Sequence, residues 1–249
     1  MSLPFANKVI AITGGASGIG LATARILLSK GASLAISDIN SQALSDTKAE
    51  LSAKSSHSQK VTTTVVDVSK SHLVDKWIGG IIKDHGKLNH AANVAGLSGH
   101  PGFLTELSDE DFHKTIDINL SGVFYCMRAQ LKVMERGSSI VNVSSGAGLV
   151  GIPRQGAYTA AKHGVHGLTK TAAKEFGPQG IRINAVAPGL VKTGLWEATE
   201  EYRQAAIDNC PLRRHAEPEQ IAQAIVHLLS DDASFQSGSI TTVDGGNYS

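Results

Sequence analysis

The sequence predicts one α/β domain in which a parallel sheet is covered by helices on both faces. Short apolar runs rich in β-branched residues alternate with helical segments of about 10 to 16 residues, as in βαβ units. The first of these runs leads directly into a glycine-rich turn that opens a helix. No linker or internal repeat divides the 249 residues, so we expect a single domain over residues 1–249.

The composition is ordinary for a soluble globular protein. The chain carries 23 Lys and Arg against 22 Asp and Glu, which predicts neither a nucleic-acid partner nor an anionic membrane partner. Its two cysteines, Cys126 and Cys210, are far apart, so a disulfide framework is not expected. The N-terminus lacks the pattern of a secretory signal, and no run of 18 apolar residues occurs. We therefore expect a cytoplasmic protein with no membrane partner.

Seven apolar runs are predicted to form the strands of the sheet. They lie at residues 8–13, 33–37, 61–66, 88–92, 140–143, 181–186 and 239–243. Helices are predicted after the glycine-rich turn, at 41–54 and 70–85, from 108 onward, and at 157–176 and 218–230. The segment 193–210 has poor periodicity, so we interpret residues 190–215 as a lid over a binding site.

The glycine-rich turn follows the first predicted strand and contains Gly14, Gly18 and Gly20. Glycines let the backbone come close to phosphate groups, and the free N–H groups at a helix N-terminus point at them. The spacing differs from the common G-x-G-x-x-G. The turn therefore predicts a pyrophosphate site, with a purely structural tight turn as the alternative.

Asp38 ends the second predicted strand, about 18 residues beyond the last glycine, where a dinucleotide-binding fold places the acid that bonds the ribose hydroxyls. A carboxylate about 4 Å from a 2′-phosphate costs roughly 4 kcal/mol per charge at an effective dielectric of about 20, and less in an open cleft. Neither Gly15 nor Ile39 supplies a compensating cation. We predict that the cofactor is NAD rather than NADP. The alternative is that Asp38 only begins the following loop and contacts no cofactor.

Tyr158 and Lys162 are four residues apart in a predicted helix and therefore share one face. Bringing a phenol from a pKa of about 10 to about 7 requires roughly 4 kcal/mol in favour of the anion. One ammonium about 4 Å away supplies about that much at an effective dielectric of about 20. The pair therefore predicts a general acid/base, and Ser145 can donate a hydrogen bond to a substrate oxygen. The alternative is an ordinary helix surface.

Asn119 and the histidines are the remaining candidates for a site. Asn119 lies near the middle of a predicted helix and close to Ser121 and Gly122, all of which disfavour helix. The combination indicates either a kink that frees a backbone carbonyl for water or a tolerated polar residue. His163 and His166 are three residues apart but have no third ligand at suitable spacing, so we expect no metal site.

The order and spacing of these motifs resemble those of the classical short-chain dehydrogenases/reductases across essentially the whole chain. The matching residues are Thr13, Gly14, Gly18, Ile19, Gly20, Asp67, Asn93, Val94, Ala95, Gly96, Asn119, Ser145, Tyr158, Lys162, Pro188, Gly189 and Thr193. The chain departs at Val94, where the family usually has asparagine, and at Asn89, near which an aspartate is usual. The resemblance implies a single Rossmann-type domain with strand order 3-2-1-4-5-6-7.

The resemblance also implies a role for each motif. Tyr158 would be the acid/base, Lys162 would hold the nicotinamide ribose and lower the pKa of the tyrosine, Ser145 would polarise the carbonyl, and Asn119 would hold a water of the proton relay. The implied cofactor-binding residues, besides Tyr158 and Lys162, are Gly14, Ser17, Gly18, Ile19, Gly20, Asp38, Ile39, Asp67, Val68, Asn93, Ala95, Gly96, Pro188, Gly189, Val191 and Thr193. Among them, Gly14, Ser17 and Ile19 would line the pyrophosphate, Asp67 and Val68 the adenine, Asn93 the adenosine side, and Val191 and Thr193 the carboxamide.

The activity implied is NAD(H)-dependent interconversion of a secondary alcohol and a ketone. Predicted substrate walls at 97–104, 148–155 and 190–202 include Leu149, Val150, Ile152, Leu195 and Trp196, which suit a fairly hydrophobic small molecule. The alternatives are an NADPH-dependent ketoreductase, a non-redox isomerase or cyclase on this fold, and a nucleotide-sensing binding protein. The family commonly forms homotetramers or homodimers, here through the helices that start near Asp109 and Gln155.

Overall fold

One parallel sheet of seven strands, in the order β3-β2-β1-β4-β5-β6-β7, organises the chain. The structure is a computed structural model that describes residues 3–56, 58–194 and 200–248. The strands are β1 Val9–Thr13, β2 Ser33–Asp38, β3 Val61–Val65, β4 His90–Asn93, β5 Ser139–Val143, β6 Arg182–Pro188 and β7 Ile240–Val243. Each overlaps a predicted strand, and the predicted strand order is confirmed.

Helices cover both faces of the sheet. They are α1 Gly18–Ser29, α2 Ser41–Lys54, α3 Ser71–His85, α4 Asp109–Ile116, α5 Gly122–Leu131, α6 Gly156–Phe176, α7 Glu200–Asn209 and α8 Pro218–Leu229. Successive side chains of β1 point to opposite faces. Ile10 and Ile12 belong to the apolar cluster of α1, α2 and α8, whereas Val9 and Ala11 belong to that of α3, α5 and α6.

The predicted helix through Asn119 is interrupted by a π-helical turn, Asp117–Ser121, between α4 and α5. Asn119 is fully buried within it. Its side-chain amide donates from Nδ2 to the carbonyl of Thr115 at 3.0 Å, and its Oδ1 accepts from the backbone N–H of Leu97 at 3.1 Å. The helix is therefore irregular at Asn119, as its sequence indicated, and the same asparagine also bonds the loop after β4. A carbonyl freed for water stays a prediction.

The segment interpreted as a lid contains α7, a helix that its weak periodicity did not predict. The helix is polar along most of its length, so it lacks the apolar stripe by which buried helices are recognised. Leu195 and Trp196, two of the predicted substrate walls, lie outside the described residues. The lid therefore stays a prediction.

The predicted site residues cluster at the carboxyl edge of the sheet, where the chain turns from each strand into the next helix. The strand order reverses between β1 and β4, and ligands of open α/β sheets bind in the crevice at such a point. Thr13 ends β1 and its Oγ1 accepts from the N–H groups of Val94 and Ala95, at 3.0 and 3.1 Å. These bonds fix the loop after β4 beside the glycine-rich turn.

Candidate active site

The glycine-rich turn packs too closely to accept side chains at two of its glycines. Gly14 has φ +62°, and a Cβ added there would lie 2.8 Å from the Cα of Ala95. A Cβ at Gly20 would collide with the carbonyl oxygen of Gly14. The start of α1 is therefore held directly against the end of β1, which is the arrangement that the sequence predicted for a pyrophosphate site.

The N-terminus of α1 fits an anion. Ser17 precedes the helix with extended backbone, its side chain makes no capping hydrogen bond, and the first turn contains no acidic residue. The first N–H groups of a helix have no partners within the helix, and the helix dipole is positive at this end. Gly18, Ile19 and Gly20 provide these groups, so the residues present fit a dinucleotide pyrophosphate.

Asp38 is fixed beside the turn at the end of β2. Its Oδ2 accepts from the backbone N–H of Ala16, and its Oδ1 from that of Asn40, both at 3.1 Å. The neighbouring Ile39 is 69% exposed. The carboxylate therefore has a defined position where a ribose would lie, and it also stabilises the loop that would hold the pyrophosphate.

The predicted adenosine-side residues have structural partners of their own. Asp67 accepts through Oδ1 from the N–H and the hydroxyl of Ser69, at 2.9 and 2.7 Å. Val68 is buried and packs so closely on Gly122 that a Cβ there would lie 2.9 Å from Val68 Cγ2. The side chain of Val68 thus supports α5.

The side chain of Asn93 does not face the crevice. Its Nδ2 donates to Gln130 Oε1 at 3.1 Å and to Asn142 Oδ1 at 2.9 Å, and Gln130 Nε2 donates back to Asn93 Oδ1 at 2.8 Å. All three residues are buried. Any contact of Asn93 with a cofactor would therefore use its backbone, while its amide links β4 to β5 and α5.

A cleft of about 410 Å³ brings the four predicted catalytic residues together. It is lined by Asn119, Ser145, Tyr158 and Lys162, and by the predicted cofactor residues Ile19, Gly96, Pro188, Gly189, Val191 and Thr193. The other predicted cofactor residues lie outside it. These are Gly14, Ser17, Gly18, Gly20, Asp38, Ile39, Asp67, Val68, Asn93 and Ala95. The cleft also contains Asn247 and Tyr248, which sequence reasoning missed because nothing marked the chain after β7 as part of a site.

Lys162 is buried at the base of this cleft, with 3% of its surface exposed. Its Nζ donates to the carbonyl oxygen of Val143 at 3.0 Å and lies 5.4 Å from the centre of the Tyr158 ring. Burial lowers the pKa of Lys162 to about 8. Gly96 lies close to both polar side chains, because a Cβ added there would be 2.8 Å from Asn119 Oδ1 and 3.7 Å from Lys162 Nζ. A larger residue would therefore occupy the space between Asn119 and Lys162.

Tyr158 is partly open to the cleft, yet desolvation raises the pKa of its phenol above the ordinary value. A hydrogen bond with Ser145 lowers that pKa, and the nearby Tyr248 raises it. The prediction that Lys162 lowers the pKa of Tyr158 to about neutrality is therefore wrong for the protein without a cofactor. Burial disfavours the charged forms of both residues.

The histidines form no metal site in the part of the chain that the structure describes, where no cluster of three potential ligands occurs. His163 is exposed and its Nδ1 lies 2.9 Å from the carbonyl of Thr159. Within the same residues, no helix combines the length and apolar character needed to cross a membrane.

The glycine-lined helix start and the Ser145, Tyr158 and Lys162 cluster lie at one edge of a parallel sheet, which is the arrangement of a dinucleotide-binding protein. A family model described as Enoyl-(Acyl carrier protein) reductase matches residues 14–247. The chain belongs to the short-chain dehydrogenase/reductase family, as its motifs predicted. This family uses a nicotinamide cofactor.

Several known proteins resemble the chain over nearly its whole length. Short-chain dehydrogenase/reductase ABA4 of Pyricularia oryzae is 45% identical over 251 residues, covering 98% of this chain and 93% of the relative. Cyclohexanol dehydrogenase of an Acinetobacter species is 41% identical over 247 residues, covering 98% and 96%. The crystal structure of levodione reductase superposes with a TM-score of 0.92 at 37% identity, covering 98% of both chains. Relatives of this kind act on alcohols and ketones.

Proposed function

We propose that this protein is an NAD(H)-dependent oxidoreductase that interconverts a six-membered-ring secondary alcohol and its ketone. The observation that carries the proposal is the single cleft in which Ser145, Tyr158 and Lys162 meet beside the glycine-rich turn. The cleft is more apolar than polar, with Ile152, Leu190 and Val191 among its lining residues. A relative with 41% identity is named for cyclohexanol, which supports a carbocyclic substrate.

The positions of the three side chains support a proton transfer through Tyr158. Ser145 and Tyr158 would both hydrogen-bond the substrate oxygen, and Tyr158 would accept its proton during oxidation or donate one during reduction. A bound nicotinamide supplies the hydride acceptor or donor of this reaction. Lys162 would hold the cofactor ribose through its buried Nζ, which is also bonded to the carbonyl of Val143. Asn119 would keep a relay water at the π-helical turn.

Asp38 supports the preference for NAD over NADP. Its carboxylate is anchored to the N–H groups of Ala16 and Asn40, so it cannot swing away from a 2′-phosphate without losing two hydrogen bonds. A negative charge held at that position repels a second one, by roughly 4 kcal/mol per charge at about 4 Å and less where water enters. The fixed geometry makes the repulsion difficult to relieve.

The proposed function is tested by initial rates with a panel of alcohols and ketones, followed through the absorbance of the reduced cofactor. We expect turnover of cyclohexanol with NAD⁺ and of cyclohexanone with NADH. A higher kcat/KM with NADPH would instead identify an NADPH-dependent ketoreductase. Conversion of a ring substrate without any change in cofactor absorbance would identify a non-redox isomerase or cyclase.

A second candidate follows from the description of the family model, which names enoyl-thioester reduction. That reaction saturates a C=C bond, whereas the proposed one acts on a C–O bond. Crotonyl-CoA and an acyl-carrier-protein thioester therefore belong in the same panel. Oxidation of NADH with these thioesters and not with ketones would replace the alcohol/ketone proposal.

We also infer a homotetramer or homodimer whose subunits meet through α4, α5 and α6. Phe112 on α4 and Phe124 on α5 remain 40% and 41% exposed, so both helices offer apolar surface that a second subunit could cover. Light scattering after size-exclusion chromatography tests this inference. A monomer at micromolar concentration would contradict it.

A further inference from the structure

The chain after β7 folds back into the active-site cleft. Asp244 organises this turn, because its Oδ1 accepts from the N–H of Gly246 at 3.0 Å and its Oδ2 from that of Tyr248 at 2.8 Å. Gly245 and Gly246 have φ +67° and +85°, a conformation that glycine adopts readily. The turn therefore sets the direction in which Tyr248 leaves the backbone.

The same turn is held between the end of β6 and the segment after α7. The N–H of Gly189 donates to the carbonyl of Val243 at 3.1 Å, and a Cβ at Gly189 would lie 2.8 Å from the Cα of Asp244. On the other side, the buried Cys210 Sγ lies 3.7 Å from the carbonyl oxygen of Gly245. These contacts hold the turn that carries Tyr248 in place from both sides.

The Cδ2 and Cε2 atoms of the Tyr248 ring lie directly beside Gly146, the residue that follows Ser145. A Cβ at position 146 would collide with both Cδ2 and Cε2 of the ring. Tyr248 lines the same cleft as Tyr158, and its ionisation would raise the pKa of Tyr158, so the two phenols lie close enough to interact. The cleft thus has an aromatic wall next to the reacting groups.

We propose that the ring of Tyr248 packs against the carbocycle of the bound substrate and determines the preference for cyclic over acyclic alcohols. This inference rests on the proposed function. Once Ser145 and Tyr158 hold the substrate oxygen, the carbons attached to it must lie against neighbouring walls of the cleft. An aromatic face offers a large rigid surface to a six-membered ring and gives little to a short open chain.

The test compares kcat/KM for cyclohexanol with that for 2-butanol in the full-length protein. We expect Tyr248→Ala to lower the cyclic-to-acyclic ratio at least about 10-fold, as losses of apolar contact in a binding pocket do. Tyr248→Phe keeps the ring and should retain the ratio to within about 3-fold. An unchanged ratio in Tyr248→Ala, or an equal loss in Tyr248→Phe, would overturn the proposal.

Gly146→Ala provides an independent perturbation that leaves the identity of residue 248 unchanged. The added methyl group should displace the Tyr248 ring and lower the cyclic-to-acyclic ratio of kcat/KM. The decrease should be smaller in the Tyr248→Ala background, where the ring is absent. Equal effects of Gly146→Ala in both backgrounds would contradict the proposed contact. NADH titration by fluorescence verifies that each variant retains a folded cofactor cleft. Failure of the wild-type protein to turn over either alcohol would overturn the proposed function itself, and this inference with it.

Discussion

The Nζ of Lys162 lies 5.4 Å from the centre of the Tyr158 ring and is hydrogen-bonded to the carbonyl of Val143. The lysine is therefore held beneath the tyrosine by the end of β5 and the first turns of α6. Burial lowers the pKa of this lysine to about 8 and raises that of the tyrosine, so the site resists charge on both residues. Tyr158 is therefore protonated at neutral pH and can donate its phenolic proton.

Removing the phenolic hydroxyl of Tyr158 tests its assignment as the acid/base. Tyr158→Phe should lower kcat at least about 100-fold, the lower bound for loss of general acid/base catalysis, and should leave NADH binding measurable. Initial rates with cyclohexanone and fluorescence titration of NADH provide the two measurements. Tyr125→Phe is the matched control, because Tyr125 contacts Phe124 and Arg128 on α5 and is not among the residues that line the cleft. Retained turnover in Tyr158→Phe would discard the assignment.

The raised pKa of Tyr158 predicts a directional pH dependence. The phenol is protonated at neutral pH and suited to reduction, whereas oxidation requires its anion. We therefore expect kcat/KM for cyclohexanol oxidation to rise with pH through the alkaline range, and kcat/KM for cyclohexanone reduction to be highest near or below neutrality. A pH-independent oxidation rate would show that bound cofactor already holds Tyr158 as the anion.

Burial of Lys162 should cost stability at neutral pH. Its pKa is about 8 in the folded protein against 10.5 ordinarily, so between these values the unfolded chain binds more protons and this group makes stability rise with pH. Lys162→Met should therefore unfold at higher temperature than the wild type at pH 7, and the difference should shrink as pH rises above about 8. Thermal unfolding followed by circular dichroism at several pH values measures the unfolding temperatures of both proteins and the change in their difference. A less stable Lys162→Met at pH 7 would show that the bond to Val143 outweighs the desolvation.

Features that depend on local pattern were predictable from the sequence. The alternation of strands and helices predicted the sheet, and the crowding at Gly14 and Gly20 explains why glycines occur at that spacing. The poor helix propensity around Asn119 correctly indicated an irregular helix, although its form as a π-helical turn depends on the loop at Leu97.

Features that depend on contacts distant in sequence were not predictable in this way. The amide network of Asn93 needs Gln130 and Asn142, which only the folded sheet brings together. The contact between Gly146 and Tyr248 joins the loops after β5 and β7, and neither loop carries a pattern that specifies the other. Lys162 could be assigned to the site from its spacing, but its desolvation depends on everything packed around it.

Neutralising Asp38 should weaken the preference for NAD. Asp38→Asn keeps an acceptor oxygen for one of the two backbone bonds and removes the charge, so it isolates the electrostatic effect better than Asp38→Ala. We expect the ratio of kcat/KM for NADP⁺ over NAD⁺ to rise at least about 10-fold in Asp38→Asn, which is about 1.4 kcal/mol. A wild-type protein that already prefers NADP⁺ would refute the electrostatic argument.

The close contact between Gly20 and Gly14 predicts that a single methyl group at position 20 disrupts cofactor binding. The Cβ of Gly20→Ala would collide with the carbonyl oxygen of Gly14, so α1 must shift away from the turn that positions the pyrophosphate. We expect at least about a 10-fold weaker Kd for NADH, a loss of about 1.4 kcal/mol, measured by calorimetry.

Gly79→Ala is the control, because Gly79 is an exposed glycine inside α3 whose added Cβ would have no atom within 4 Å. That variant should bind NADH normally and gain roughly 0.5–1 kcal/mol in stability from better helix propensity. Equal NADH affinity in the two variants would show that the crevice at the start of α1 does not hold the pyrophosphate.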